Sequence, residues 1–167
     1  QVSRSVAFHS ATLVLVGDGP SRDEVLRLAD VHGAPVTLAG LVAHEQVPAY
    51  LALMDAVAVP YASADVYFSP LKLFEAMAAG CAIVASATHP VTRVAEDHRH
   101  ALLAAPGDAR AMAAALRELA ADAALRGRLG ANARRAAESR HHWDAIAERV
   151  VAFALRAARP AEEPCGN

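Results

Sequence analysis

The feature that most constrains this chain is a series of short apolar runs, each of which is followed by a stretch with helical spacing. The runs lie at 12–16, 36–39, 56–59 and 82–85, with a weaker one at 101–103. They are too short for helices and rich in branched residues, and they do not alternate with polar side chains. They therefore predict strands that are buried on both faces. Such strands, separated by helices, are typical of a parallel sheet.

The spacing of apolar residues and of helix-capping residues gives the remaining elements. Helices are predicted at 21–33, 45–54, 70–79, 91–96, 108–121, 123–138 and 143–158. Ser21 and Glu24 are placed to form a capping box, and Asp108 to cap a later helix. The sequence thus predicts an α/β fold, a parallel sheet of about five strands with helices on both faces, followed by C-terminal helices. Residues 1–159 are expected to form one domain and residues 160–167 a flexible tail.

Composition excludes several classes of function. The chain has 16 basic and 18 acidic residues, and this near-neutral balance argues against nucleic acid or an anionic membrane as the main partner. No apolar run is long enough to span a bilayer. Cys81 and Cys165 lack metal-ligand spacing, as do the histidines, so we expect no metal site and two reduced thiols in a cytoplasmic protein.

A set of arginines in the C-terminal helical region is interpreted as solvated surface. Their spacing distributes them around a helix and does not gather them in one patch. They are Arg126, Arg128, Arg134, Arg135 and Arg140.

The segment from Ser69 to Gly80 carries the strongest signal for a ligand. Ser69 is a good N-cap, Pro70 suits the first helical position, and Gly80 suits the exit. Open parallel sheets bind ligands at the carboxyl ends of their strands, which is where this helix begins. We therefore expect the N–H groups of Leu71 and Lys72 to form an anion site, most naturally for phosphate.

Lys72 supports this interpretation because it is the single lysine beside fifteen arginines and lies where a cation opposes the helix dipole. Glu75 follows three residues later on the same face, placed to accept hydrogen bonds from ribose hydroxyls. Leu71, Phe74 and Ala78 are expected to face the core. An ordinary exposed Lys–Glu pair, worth a few tenths of a kcal/mol, remains an equal alternative.

A second signal is the turn Gly17-Asp18-Gly19-Pro20 after the first strand. Glycine permits a tight turn and a close approach of a ligand to the backbone. The third glycine of a nicotinamide-binding motif is missing, and Pro20 interrupts the pattern. Two interpretations stay open here, a ligand-binding turn and a turn that only starts a helix.

Four segments together resemble the C-terminal half of the GT-B glycosyltransferases, in the branch called glycosyltransferase family 4 or group 1. Their order and spacing match over roughly residues 11 to 150. The segments are 13–20, 38–40, 55–60 and 74–80. The resemblance implies a Rossmann-like domain that binds a nucleotide sugar, with retaining transfer from a UDP- or GDP-linked donor and no metal or other cofactor.

The resemblance also implies roles for individual residues. Glu75 would bind the donor ribose, the N–H groups of Leu71 and Lys72 would hold the diphosphate, and Lys72 would stabilise the leaving group. Lys72 and Glu75 are thus the predicted catalytic residues. The other predicted donor-binding residues surround them or lie in loops at the same edge. They are Gly17, Leu41 and Val42 around the base, Tyr67 near the sugar, and Ser69, Pro70 and Leu71 at the helix start.

Three departures from the family pattern matter. Tyr67 stands where many members carry the first glutamate of an E-x7-E motif, the first strand of the family's domain should precede Thr12, and the N-terminal domain is not present. That domain would bind the acceptor, a glycan or a lipid. We expect the isolated chain to bind a nucleotide sugar weakly without turnover. We also expect it to be cytoplasmic, or peripheral at the inner membrane face in the intact enzyme.

Two other functions remain open. A non-catalytic partner domain could keep the fold and lose the chemistry. A sugar-nucleotide epimerase would need an acid/base pair at the strand ends, and the sequence offers no convincing one.

Overall fold

Parallel pairing joins the predicted strands in two sheets. The computed structural model describes residues 11–65 and 69–157. The chain consists of two compact units, which are divided after Tyr50. The prediction of one domain is not tested by this division, and the two units are described separately.

The first unit contains two parallel strands. Its elements are β1 Leu13–Val16, α1 Arg22–His32, β2 Val36–Gly40, a 3₁₀ turn His44–Gln46 and the start of α2 Val47–Leu53. Leu13 pairs with Val36, and the Gly17 N–H donates to the Gly40 carbonyl at 2.7 Å. None of the residues described between 11 and 50 is buried.

The second unit is built around a three-stranded parallel sheet with β4 in the middle. Its strands are β3 Ala56–Val59, β4 Ala82–Ser86 and β5 Leu102–Ala104. Its helices are α3 Leu71–Ala79, α4 His89–Thr92, α5 Ala109–Ala121, α6 Ala123–Ala136 and α7 Trp143–Ala157, with a π-helical turn Ala137–His141 between α6 and α7.

All five residues of β4 are buried because helices cover both faces of this sheet. Successive strand side chains point to opposite faces. Ile83 and Ala85 lie in one core cluster with Leu73 and Met77 of α3. On the other face, Ala82 and Val84 lie in a second cluster with buried leucines of α5 and α6, Leu119, Leu125 and Leu129.

Two glycines allow α6 to lie directly on the end of α3. Gly80 ends α3 in the left-handed conformation, with φ 73°, as predicted for the helix exit. A Cβ added at Gly130 would overlap the carbonyl oxygen of Gly80. Only glycine at position 130 therefore permits this contact between helix and backbone.

Most predicted elements are confirmed within a residue or two, including the cap at Asp108, whose Oδ1 accepts from the N–H groups of Arg110 and Ala111. The capping box at Ser21 is wrong, because the Ser21 side chain makes no capping bond. The five predicted strands are present, but they form a two-stranded sheet and a three-stranded sheet instead of one sheet. The short helix predicted at 91–96 lies at His89–Thr92 instead.

The predicted faces of α3 are partly wrong. Leu71 is 64% exposed and Ala78 is exposed, while Phe74 is half-buried. Because α3 is apolar around most of its circumference, its sequence alone does not determine which stripe faces the core. The buried side chains are those that β4 and α6 cover, namely Leu73, Ala76 and Met77.

Candidate functional site

The residues that follow β3 are held in place by the ends of two other elements. The Tyr61 N–H donates to Ser86 Oγ at 2.9 Å, and the Ser86 hydroxyl donates back to the Tyr61 carbonyl at 3.2 Å. The Gly107 N–H donates to the same carbonyl at 2.9 Å. Ser86 is the last residue of β4 and is 1% exposed. The carboxyl ends of β3 and β4 and the loop after β5 are thereby fixed together.

Gly107 is required at this junction. Its φ of 77° lies in the left-handed region, and an added Cβ would lie 2.8 Å from the carbonyl oxygen of Ala62. A side chain would therefore push the loop away from the residues after β3.

The ring of Tyr61 lies next to the ammonium group of Lys72, the lysine that the sequence analysis singled out. Lys72 Nζ lies 5.6 Å from the centre of the Tyr61 ring, within the range of a cation–π interaction. Burial raises the pKa of Tyr61, so the ring is a neutral phenol at physiological pH. The ammonium group is thus held at the carboxyl edge of the sheet, in the first turn of α3. Sequence analysis missed Tyr61, although an aromatic residue directly after Pro60 at a strand end was a usable signal.

The start of α3 differs by one residue from the prediction. The helix begins at Leu71, and the Pro70 carbonyl accepts from the N–H groups of Leu73 and Phe74, so Pro70 occupies the cap position. The predicted cap at Ser69 is therefore wrong by one residue, and no side-chain capping bond is made at the Pro70 cap. Proline can precede the first turn because it has no N–H to satisfy.

One of the two N–H groups predicted to bind an anion already donates to a backbone carbonyl. The Leu71 N–H donates to the Ser69 carbonyl at 2.8 Å. The N–H of Lys72 belongs to the first turn, whose donors have no acceptor inside the helix. Glu75 follows one turn later and is half-buried. The backbone and side chain of Lys72 therefore supply positive charge at the same helix end.

The first unit brings together three other predicted residues. Gly17, with φ 126°, donates to Gly40, with φ 70°, which places the turn after β1 beside the loop after β2. In that loop Leu41 is 82% exposed and Val42 is half-buried. These residues share the carboxyl edge of their own sheet. Tyr67 lies outside the described residues.

Residues 11–65 and 69–157 contain neither a metal-binding cluster nor a membrane-spanning helix. No group of three His, Cys, Asp or Glu side chains between 11–65 and 69–157 is arranged to hold a metal ion. In the same ranges, no helix combines the length and apolar character needed to cross a membrane.

Comparison with known proteins gives relatives in sequence and in structure. The chain is 30% identical over 149 residues to the GDP-mannose-dependent alpha-(1-6)-phosphatidylinositol monomannoside mannosyltransferase of Mycobacterium tuberculosis, covering 86% of this chain and 39% of that protein. The chain thus spans about two fifths of the length of this relative.

Two solved structures have the same fold. Alr3699/HepE of Anabaena in complex with UDP superposes with a TM-score of 0.76 at 22% identity, over 87% of this chain and 41% of that one. The C-terminal domain of a glycosyl transferase group 1 family protein (LpcC) from Francisella tularensis gives a TM-score of 0.68 at 23% identity, over 79% and 70% of the two chains.

The sequence profile of the family described as Glycosyl transferases group 1 matches residues 1–122. That match covers most of the chain, and it agrees with the sequence relative and with the structural neighbours. The chain belongs to the group 1 glycosyltransferases and has the α/β architecture of the GT-B fold.

Proposed function

We propose that this chain is the donor-binding part of a retaining glycosyltransferase that transfers a sugar from a UDP- or GDP-linked donor. The observation that carries the proposal is the position of Lys72. Its ammonium group is held over the Tyr61 ring in the first turn of α3, at the carboxyl edge of a parallel sheet. A cation beside a helix N-terminus at that edge is suited to a diphosphate.

The chemistry follows from charge that develops during transfer. When the bond between the sugar and the diphosphate breaks, negative charge grows on the diphosphate oxygens. The Lys72 ammonium and the helix N-terminus stabilise that charge without forming a covalent bond. Glu75, one turn further along α3, accepts hydrogen bonds from the ribose hydroxyls. Ser69, Pro70 and Leu71 shape the backbone around the diphosphate.

The proposal also includes the other donor contacts that the resemblance implies. Leu41 and Val42 bracket the base, Gly17 lets the donor approach the backbone, and Tyr67 contacts the sugar. The family membership supports these assignments, and so does the UDP in the complex of Alr3699/HepE, a protein with the same fold.

Binding of the acceptor, a glycan or a lipid, is assigned to a part of the enzyme outside this chain. The chain spans 39% of its mannosyltransferase relative, and α7 exposes large apolar side chains that are suited to a contact surface. They include Trp143, Val150 and Phe153. Transfer requires the acceptor to be held beside the donor, so the chain alone is expected to bind a donor without turning it over.

Calorimetric titration with UDP and GDP tests the donor site. Wild type is expected to bind at least one of them, and Lys72→Ala to weaken that binding about ten-fold or more, because a charge-assisted contact with phosphate is lost. Glu75→Ala should also weaken binding. Arg110→Ala is the matched control, since Arg110 is an exposed cation in the first turn of α5, and it should leave the affinity unchanged.

Tyr61 variants test how the lysine is positioned. Tyr61→Phe keeps the ring and should retain most of the affinity, whereas Tyr61→Leu should approach the loss seen in Lys72→Ala. Binding that is unaffected by both the Lys72 and Glu75 changes would place the site elsewhere. Absence of binding to either nucleotide would favour the non-catalytic partner domain.

A further inference from the structure

A cavity of about 210 Å³ opens between the residues before β5 and the second half of α6 with its π turn. Its lining is polar and basic, whereas sequence spacing predicted that the arginines of this region are spread around a helix. Arg135 and Arg140 are exposed, as predicted for solvated surface, but the prediction that they do not gather is wrong, because both line one cavity together with Arg99. The polar lining residues are Arg99, His100, Asn132, Arg135, Ser139 and Arg140.

The π turn explains why Arg135 and Arg140 line the same cavity. In an α-helix, residues five apart lie about 140° apart around the axis. A π-helical turn pairs residues i and i+5, which brings them close to one side. The turn spans Ala137–His141, so it carries Arg140 back toward the side of Arg135. The Ser139 hydroxyl donates to the Arg135 carbonyl at 2.7 Å within this turn.

His100 contributes a largely buried imidazole to the cavity lining. The residue is 2% exposed, and its Nδ1 accepts from the Glu96 N–H at 3.1 Å. The neutral ring therefore carries its proton on Nε2. Burial lowers the pKa of His100, which keeps the ring neutral at physiological pH. Among the residues described, nothing accepts a hydrogen bond from Nε2. Among the described residues, Thr88 Oγ1 is the sealed polar side-chain atom without a partner, so Nε2 is reached from the cavity and can donate to a ligand or to water there.

Positive charge exceeds negative charge around this donor. Glu96 pairs with Arg99, whose Nη1 lies 2.9 Å from Oε2 and 3.1 Å from Oε1. Arg135 Nη2 donates to Asn132 Oδ1. Arg140 has no hydrogen bond or ion pair within the described part of the chain. Three guanidinium groups are therefore opposed by one carboxylate.

We propose that this cavity binds the phosphate group of a second ligand, either a soluble phosphate compound or an anionic lipid headgroup. Arg135 and Arg140 supply the charge-assisted hydrogen bonds and His100 Nε2 supplies a neutral one. The site lies at the amino end of β5, whereas the donor site proposed above lies at the carboxyl ends of the strands. It goes beyond the donor-binding function and does not depend on it.

Titration of the whole chain with inorganic phosphate tests the site, followed by calorimetry and by nuclear magnetic resonance of the histidine side chains. Phosphate is expected to shift the His100 ring nitrogens. Arg135→Gln combined with Arg140→Gln should weaken this binding about ten-fold or more. The matched control combines Arg110→Gln with Arg156→Gln, which removes the same charge from exposed positions on other helices. It should leave the affinity unchanged.

A third variant separates the two proposed phosphate sites. In Lys72→Ala, phosphate should still shift His100, whether or not the donor site binds nucleotides. Binding that leaves His100 unshifted, an equal loss in the matched control, or no phosphate binding would each overturn the proposal.

Vesicles distinguish the two sources of phosphate. Retention on phosphatidylglycerol vesicles and not on phosphatidylcholine vesicles, lost in the Arg135/Arg140 double variant, would support the cavity as a lipid-headgroup site. Phosphate binding without retention on either vesicle would support it as a site for a soluble phosphate compound.

Discussion

Strands β1 and β4 each contain an uninterrupted run of four apolar residues, yet all of β4 is buried and no residue of β1 is buried. The difference comes from the helices that each unit contains. Around β4, helices α3, α5 and α6 place leucine and methionine side chains on both faces. The described part of the first unit has α1 and the start of α2, and no residue of either is buried. An apolar run thus predicts a strand, whereas its burial depends on helices far along the chain.

The largest expected effect tests how tightly the second unit is packed. Gly130→Ala would place a Cβ against the Gly80 carbonyl, and because both partners are backbone, one helix must move. We expect a loss of about 3 kcal/mol in the free energy of unfolding. Denaturant unfolding measures it. Gly127→Ala in the same helix is the control, since nothing lies within 4 Å of its Cβ position, and it should stabilise by up to about 1 kcal/mol. Similar effects of the two changes would contradict the contact.

The next largest effect compares a leucine from each unit. Leu129 in α6 is fully buried, so Leu129→Ala leaves a cavity and should cost about 2–3 kcal/mol. Leu15 in β1 is only half-buried, and Leu15→Ala should cost about 1 kcal/mol. Hydrogen exchange resolves the loss by unit. An equal cost at both positions would show that β1 is covered in solution as well as β4.

The smallest effect compares two helix starts. Asp108→Ala removes a cap that accepts from two N–H groups and should cost about 1 kcal/mol. Ser21→Ala removes a side chain that makes no capping bond, so its cost should be near zero. Thermal unfolding of the two variants measures the difference. A matching loss in Ser21→Ala would indicate that Ser21 does cap α1 in solution.

Local sequence patterns predicted the elements well because each depends on neighbouring residues. The apolar runs became strands within one residue, and the predicted helix exit at Gly80 is confirmed. Lys72 was singled out because it breaks the rule that cations avoid a helix N-terminus. The structure adds that its ammonium group lies over the Tyr61 ring.

Features that depend on distant contacts were not predictable. Because α3 is apolar on several sides, the side that faces the core is determined by packing against β4 and α6. The shared cavity of Arg135 and Arg140 requires a π turn, which has no sequence signature in the 3.6-residue pattern. Arg99 joins them from a loop more than thirty residues away.

The contact between Gly80 and Gly130 also limits how α3 can move when a ligand binds to it. At its C-terminal end, the Gly80 carbonyl lies directly against α6 at Gly130, and the Arg134 side chain lies beside this contact. Sliding of α3 along its own axis is therefore resisted at the end remote from the proposed diphosphate. Under the proposed function, a diphosphate at the N-terminal end would meet a helix that is fixed at its far end, and adjustment to different donors would fall to side chains such as that of Lys72. Exchanging the residues around a fixed helix end is thus a direct route to altered donor preference.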